Sequence, residues 1–244
     1  MSLVSVIISD LFEKYLPETL ANLNETADGP IEIIVKTDDN SLGMRHCLNR
    51  AAEEAKGEFL FKLDGHCIMS PHWDTIMKDT CGENDMVVSR IKPITERTWK
   101  IVEDRGFDFV TVNPDLSIIE CDNFVQDDLD VAETMASIGC GFMIRKKRFM
   151  ELEMNWEQLG RYGNLGVEWA LKIWLSGGRL LVNRGVTCGH LFRKQGVTGC
   201  GAREQAWARQ LLGIRFQKME GPKQTHTICW LAEHFNKIKQ ECST

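Results

Sequence analysis

The first part of the chain alternates between strand-type and helix-type segments. The runs VSVIIS (Val4 to Ser9) and IEIIVKT (Ile31 to Thr37) are rich in β-branched residues and have the length of buried strands. The segment LPETLANLNE between them has helical spacing. A β-α-β order of this kind predicts parallel strands, because the intervening helix provides the crossover. The fold class is therefore predicted to be α/β.

A second helix and strand lead to an acid, a glycine and a histidine. The segment SLGMRHCLNRAAEEAKG predicts a helix, and EFLFKLD predicts the strand that follows it. Side chains two positions apart on an extended chain point to the same side, so Asp64 and His66 are expected to project together. Ligands bind at the carboxyl ends of strands in open parallel sheets. The pair is either half of a metal site or a turn in which Asp64 caps the next segment and His66 is half exposed.

The later segments are more varied. DFVTVNPDLSIIECD predicts two strands joined at Asn113-Pro114-Asp115, and the acidic stretch VQDDLDVAETMA predicts a loop. SIGCGFMIRKKRFMELE predicts a strand followed by a helix. GVEWALKIWLSGGRLLVNRGVTCGHLFRK predicts a helix, a strand and an exposed turn that carries His190. Two amphipathic segments close the chain, so we expect one domain over residues 1–200 and a helical appendage, residues 201–244, packed on it.

Composition limits the class of protein. The hydrophobic content of 43% and charged content of 26% are ordinary for a soluble globular chain. Nine cysteines without CxxC pairs indicate reduced, mostly buried thiols. The N-terminal apolar run lacks a basic flank and is too short to span a bilayer, so we expect a cytoplasmic protein with no membrane partner. A net charge of -6 argues against broad nucleic-acid binding, although basic residues cluster in RIKPITERTWK and IRKKR.

Three blocks together resemble the catalytic domain of polypeptide N-acetylgalactosaminyltransferases, which are glycosyltransferases of the GT-A fold. The first is VSVIIS followed by EIIVKTDDNS, and the second is RAAEEAKGEFLFKLDGHCIMSPHW. The third is IGCGFMIRKKRFMEL with YGNLGVEWALKIWLSGGRLLVNRGVTCGHLFRK. The resemblance covers residues 4–194 and implies a Rossmann-like nucleotide-diphospho-sugar transferase fold, with a mixed central sheet flanked by helices.

The resemblance also implies a metal site. The aspartate-any-histidine motif corresponds to Asp64 and His66, and the glycine-histidine motif supplies His190 as a further ligand. A carboxylate with imidazoles suits Mn²⁺, or Mg²⁺ in its place, and donor phosphates and water would complete the coordination. Arg193 and Lys194 are expected to bind the diphosphate, with a solvated basic turn as the alternative.

Other residues correspond to positions that the family uses around the donor and the acceptor. Asp38 or Asp39 is expected to accept a hydrogen bond from the uracil, while the other caps a helix. Arg45, placed opposite the apolar helix face, contacts the donor or is a plain surface arginine. Glu168 matches a glutamate of the family's tryptophan-glycine-glycine-glutamate segment and is expected to bind the acceptor, act as general base or cap its helix. Leu165 and Val167 replace the tryptophan and the second glycine, which puts acceptor recognition in doubt.

The predicted function is metal-dependent transfer of a sugar from a UDP-sugar to a hydroxyl acceptor, with retention as the closest resemblance implies. The acceptor is a protein, a glycan or a hydroxymethylated base in DNA. The last option belongs to a viral or microbial enzyme, and it predicts acceptor affinity that falls steeply with salt. One alternative is a donor-binding module without turnover. A sugar-nucleotide pyrophosphorylase ranks last, because no glycine-rich phosphate loop lies near the N-terminus.

Overall fold

The computed structural model describes residues 2–102, 106–113, 115–122, 130–192 and 202–241. The strands in this part of the chain are β1 Val4–Asp10, β2 Ile31–Thr37, β3 Phe59–Lys62, β4 Cys67–Met69, β5 Met86–Thr95, β6 Lys100–Ile101, β7 Phe107–Val112, β8 Ile118–Asp122, β9 Val131–Glu133, β10 Phe142–Arg145 and β11 Leu180–His190. The helices are α1 Leu16–Thr26, α2 Met44–Glu54, α3 Trp73–Thr80, α4 Lys146–Glu151, a 3₁₀ turn Glu157–Leu159, α5 Leu165–Leu175, α6 Ala202–Gln217 and α7 Ile228–Glu241.

A mixed sheet organises the molecule. Its main path runs in the order β2-β1-β3-β10-β5-β11-β4. Strand β1 is parallel to β2 and β3, and β5 is parallel to β11. Strand β10 is antiparallel to both β3 and β5, so β3 and β5 run in the same direction. The five strands β1, β2, β3, β5 and β11 are therefore all parallel to one another. Their carboxyl ends consequently lie at one edge of the sheet, as a GT-A-type arrangement requires.

Each face of the sheet is covered by its own apolar core. Along β1, Val6 and Ile8 pack with Leu23 of α1, whereas Ile7 packs with Leu48 of α2 on the opposite face. This division follows from the two-residue period of a strand, which sends alternate side chains to opposite faces. Because both faces are covered, the polar residues that follow the strands are concentrated at the ends of the strands.

The main sequence predictions for the fold are confirmed. The β-α-β opening, the mixed α/β class and the antiparallel β7-β8 hairpin are all present. The described cysteine side chains are free thiols, buried at Cys47, Cys67, Cys81, Cys140 and Cys188 and exposed at Cys229. None of the helices in the described ranges has the length and apolar character needed to cross a bilayer.

Two local predictions were wrong or incomplete. His190 is the last residue of β11 instead of part of an exposed turn, because β11 continues to pair with β4 up to that residue. The stretch predicted as a loop contains β9, which pairs with β11, while residues 123–129 lie outside the described part. The division into residues 1–200 and 201–244 stays a prediction. Helices α6 and α7 contact the 3₁₀ turn and α5, respectively.

Asp74 joins α3 to the loop after α1. Its carboxylate is fully buried and accepts hydrogen bonds from the backbone N–H groups of Asp28 (2.9 Å) and Gly29 (3.0 Å). Burial raises the pKa of Asp74, but these two donors and the Lys78 ammonium outweigh it and hold the pKa below the usual value. The ionised carboxylate therefore stabilises the folded state.

We predict that Asp74→Ala lowers the free energy of unfolding by about 2–3 kcal/mol at neutral pH, because two backbone donors lose a buried, charged acceptor. The folded-state pKa is depressed, so this contribution is present above the unfolded-state pKa of about 3.9 and lost as the pH falls through the folded-state value. Urea unfolding at several pH values measures it, with the exposed Asp79→Ala as the matched control. Equal midpoints for the two variants at neutral pH would contradict the assignment.

Candidate metal centre

Three side chains from separate segments meet at the carboxyl edge of the sheet. Asp64 lies two residues after β3, His66 immediately precedes β4, and His190 ends β11. The antiparallel pairing of β4 with β11 brings the two histidines together, since His190 lies opposite Cys67 and Leu191 N donates to His66 O at 3.2 Å. Sheet pairing thus helps to bring His190 to Asp64, which lies 126 positions earlier in the sequence.

The three side chains form a compact donor set. A carboxylate oxygen of Asp64 and one nitrogen from each of His66 and His190 all lie within 4.8 Å of one another. The distance from His190 Nε2 to Asp64 Oδ2 is 3.2 Å, and the two imidazole centroids are 4.8 Å apart. The side chains of Asp64 and His190 retain 22% and 13% exposure, so the cluster borders solvent. A ligand can therefore reach it without unfolding the sheet.

Lys62 is a member of this site that the sequence analysis did not identify. Its side chain is 2% exposed, and its ammonium contacts Asp64 Oδ1 and donates to Gly139 O at 2.5 Å. Burial raises the pKa of Asp64, but the Lys62 ammonium, followed by the hydrogen bond to His190, lowers that pKa well below its usual range. The carboxylate is thus ionised and ready to act as a ligand.

Glu13, in the loop after β1, is a second neighbour that sequence reasoning missed. Its Oε2 lies 3.3 Å from His66 Nδ1, without the alignment of a hydrogen bond. A Cβ on Gly65 would lie 3.2 Å from Glu13 Cγ. The glycine therefore accommodates the loop after β1. Nothing in the local sequence around Glu13 indicated this contact.

The donor set fits a divalent ion such as Mn²⁺. One carboxylate and two imidazoles match its mixed oxygen and nitrogen preference, while three protein ligands leave positions for ligand oxygens or water. His66 Nδ1 and His190 Nδ1 are buried without hydrogen-bond partners among the described residues. Such unsatisfied nitrogens are costly unless a ligand or ion engages the rings.

Asp38 and Asp39 follow β2 at the same edge of the sheet. Asp38 is partly buried, and its Oδ2 accepts a hydrogen bond from Gly43 N at 3.0 Å, just before α2 begins. Asp39 is exposed, and its Oδ1 accepts from Asn40 Nδ2 at 3.0 Å. Asp38 thus contacts the residue before α2, and the division of the capping and uracil roles between Asp38 and Asp39 stays a prediction.

Arg45 and Glu168 differ from their predicted placement. Arg45 is 1% exposed instead of lying on the surface opposite the apolar face, and it pairs with Glu168. Glu168 is fully buried, and its Oε1 accepts from Trp156 N at 2.9 Å and from Lys172 Nζ at 2.5 Å. With both carboxylate oxygens engaged and no exposed surface, Glu168 cannot contact an acceptor in this conformation. The alternative of a plain surface arginine was therefore wrong, whereas a donor contact of Arg45 and an acceptor role of Glu168 stay predictions.

This buried ion pair connects two parts of the molecule. Arg45 also donates to Gly163 O, and a Cβ on Gly43 would lie 2.5 Å from Arg161 Cα, so α2 packs tightly on the loop before α5. Burial lowers the pKa of Lys172 to about 8, against the opposing effect of Glu168. The network fixes the loop around residue 161 against the helix that follows Asp38 and Asp39.

Arg193 and Lys194, predicted to bind a diphosphate, lie outside the described residues. The structure therefore does not test them. The preceding Phe192 is 43% exposed and packs edge-on against His190, with ring centroids 4.5 Å apart. The described range 130–192 therefore ends beside Asp64, His66 and His190.

The sequence is similar to those of proteins that carry N-acetylgalactosaminyltransferase names. The Caenorhabditis elegans protein "Probable N-acetylgalactosaminyltransferase 8" is 26% identical over 169 residues, which are 66% of this chain and 40% of that protein. The Macaca fascicularis protein "Inactive polypeptide N-acetylgalactosaminyltransferase-like protein 5" is 25% identical over 205 residues, or 78% of this chain and 44% of that protein. The chain thus spans less than half the length of these relatives. No family model matches it.

Solved structures share the fold. The crystal structure of GalNAc-T7 with UDP, GalNAc and Mn²⁺ superposes with a TM-score of 0.74 at 19% identity, over 90% of this chain and 50% of that one. Staphylococcus aureus TarS 1–349 in complex with UDP-GlcNAc gives 0.60 at 14% identity, over 89% and 67%. The chain has the GT-A fold of these structures, and its sequence resembles the catalytic domain of polypeptide N-acetylgalactosaminyltransferases.

We predict that Glu168→Ala lowers the free energy of unfolding by about 3–5 kcal/mol, because it leaves two buried cations without their carboxylate. The exposed Glu53→Ala on α2 is the matched control and is expected to stay within about 0.5 kcal/mol of wild type. The double variant Arg45→Met/Glu168→Leu is expected to recover part of the loss, since it leaves one buried cation, Lys172, without a carboxylate instead of two. A Glu168→Ala protein that unfolds at the wild-type denaturant midpoint would restore a role at the acceptor.

Proposed function

We propose that the chain is a metal-dependent glycosyltransferase that moves a sugar from a UDP-sugar to a hydroxyl acceptor with retention of configuration. The observation that carries the proposal is the convergence of Asp64, His66 and His190 within 4.8 Å at the carboxyl edge of a GT-A-type sheet. The GT-A neighbours named above, which were crystallised with UDP or a UDP-sugar, support the donor class.

Asp64, His66 and His190 would hold a Mn²⁺ or Mg²⁺ ion. When bound, such an ion stabilises the negative charge that develops on a nucleoside diphosphate leaving group. Lys62 keeps Asp64 ionised and occupies Oδ1, which leaves Oδ2 on the side of His190. The contribution of the chain is therefore to hold charged, oriented ligands where the diphosphate of a bound donor would lie.

Asp39 is the better candidate for the uracil contact, because Asp38 is engaged by the N–H of Gly43. A carboxylate at the end of β2 can accept a hydrogen bond from the imide N–H of uracil. Arg193 and Lys194 remain candidates for the diphosphate on the grounds of sequence alone. Together these residues would line a donor site that extends from β2 to β11.

The burial of Glu168 supports retention. An inverting transfer needs a protein base that removes the proton of the acceptor hydroxyl, and the candidate from sequence is enclosed in an ion-pair network. In a retaining transfer the leaving phosphate can accept that proton, so no carboxylate at position 168 is required. The proton transfer would then depend on the donor diphosphate, which Asp64, His66 and His190 would position through the metal ion.

The assay is UDP release from a panel of UDP-sugars with Mn²⁺, first without an acceptor. We expect slow release from one or two UDP-sugars, abolished by chelation and restored by Mn²⁺. NMR of the glycosylated product, once an acceptor is found, is expected to show the anomeric configuration of the donor. UDP binding with no release from any donor would favour the alternative of a binding module without turnover.

We predict that His66→Gln and His190→Gln abolish Mn²⁺-dependent UDP binding in calorimetry and UDP release in the assay. The exposed His72→Gln is the matched control. Asp64→Asn is less informative, because it leaves the buried Lys62 ammonium without its partner and is expected to cost about 3–5 kcal/mol of stability. Wild-type UDP affinity in both histidine variants would contradict the ligand assignment.

A further inference from the structure

Three cysteines lie together beneath the candidate metal centre. Cys67 is the first residue of β4, Cys188 lies in β11, and Cys140 lies two residues before β10. Their relative exposures are 0%, 0% and 1%, respectively, and their sulfur atoms all lie within 4.8 Å of one another. None of them belongs to the set of carboxylate and imidazole ligands described above.

The separation of the sulfur atoms is close to that of thiolates on one metal ion. A zinc–sulfur bond is about 2.3 Å long, so two thiolates on the same ion lie roughly 4 Å apart. Closing three sulfurs from within 4.8 Å onto one ion therefore needs only small side-chain rotations. Three backbone segments already hold the sulfurs in this arrangement, so the site is largely preformed.

We propose that Cys67, Cys140 and Cys188 form a second metal site, which takes a thiophilic d¹⁰ cation of the Zn²⁺ and Cd²⁺ class. Thiolates are soft ligands that prefer such ions, whereas the carboxylate and imidazoles nearby suit Mn²⁺ or Mg²⁺. As the ion binds, each thiol releases its proton to solvent and forms one sulfur–metal bond. The cysteine cluster thus discriminates against Mn²⁺ and Mg²⁺, whereas the carboxylate and imidazoles can also bind Zn²⁺ or Cd²⁺.

The surroundings offset the charge of the loaded site. Three thiolates around a divalent ion carry one net negative charge, which is costly in an apolar environment unless a cation lies near. The Lys62 ammonium donates to the carbonyl oxygen of Gly139, the residue before Cys140. This ammonium is shared with the carboxylate of Asp64, so it offsets part of the charge on this side of the cluster.

The position of the cysteine cluster suggests how the ion enters and which segments it connects. Strand β4 has three residues, ends the main strand path and pairs with β11, so opening of this short edge exposes Cys67. Cys67 directly follows His66, and Cys188 is two residues before His190. An ion on the three sulfurs would therefore tie together the segments that carry the histidines, and the site does not depend on sugar transfer.

The test titrates Cd²⁺ into the reduced, metal-free full chain and follows the ultraviolet thiolate-to-cadmium charge-transfer band. We expect one sulfur-bound Cd²⁺ per chain, seen as a band that saturates at the intensity of three thiolates, and a rise in the thermal unfolding temperature. Replacing Cys67, Cys140 or Cys188 with alanine is expected to reduce the band and remove the rise. Cys47→Ala and Cys81→Ala are matched buried controls that keep both, as does His66→Gln.

A second measurement uses only the wild-type protein, so it does not depend on the folding of the variants. Thiol alkylation in mild denaturant, mapped by mass spectrometry, is expected to show that Cd²⁺ protects the peptides of Cys67, Cys140 and Cys188 more strongly than those of Cys47 and Cys81, because bonding to the ion adds to the general stabilisation. Absence of the band in wild type, its full retention in all three cluster variants, or protection confined to other cysteines would each overturn the proposal.

Discussion

The contact between Lys62 and Asp64 is the interaction on which the candidate site depends most. An ammonium at 2% exposure is unfavourable inside a sheet unless a partner compensates for its lost hydration. Asp64 and the carbonyl oxygen of Gly139 provide that compensation, and in return the carboxyl group stays ionised and fixed in orientation. The same ammonium links the end of β3 to the segment before β10. One buried charge therefore fixes the two segments next to Asp64.

The topology of the sheet explains why the functional side chains gather where they do. Strands β1, β2, β3, β5 and β11 run in one direction, and their carboxyl ends share one edge. The edge strand β4 runs back against β11 and places His66 beside His190. Residues from the end of the second β-α-β unit and from the last strand therefore meet through strand pairing.

Much of this arrangement could be predicted from sequence. Runs of apolar and β-branched residues predicted the strands. The Asp64-Gly65-His66 and Gly189-His190 segments indicated the metal ligands through their resemblance to a known family. The sequence also contained an indication of Lys62 that was not used. Lys62 lies in the apolar run FLFKLD two positions before Asp64, so the two side chains are expected on the same side of the strand.

Other features could not be predicted, because they depend on tertiary contacts. On a helical wheel Arg45 lies outside the apolar stripe, and only the packing of the loop around residue 161 buries it against Glu168. The burial of Glu168 in the same network was likewise not evident from its place in the sequence, which favoured an acceptor contact. The meeting of Cys67, Cys140 and Cys188 likewise depends on strand pairing across more than a hundred residues, which cysteine spacing alone does not show.

The most direct measurement of the central claim is a crystal structure with Mn²⁺ and UDP, with data collected at the manganese absorption edge. The account predicts one anomalous peak within bonding distance of Asp64, His66 and His190, next to the diphosphate oxygens. A manganese peak at any other position, or UDP bound in the crystal with no metal at these three side chains, would contradict it.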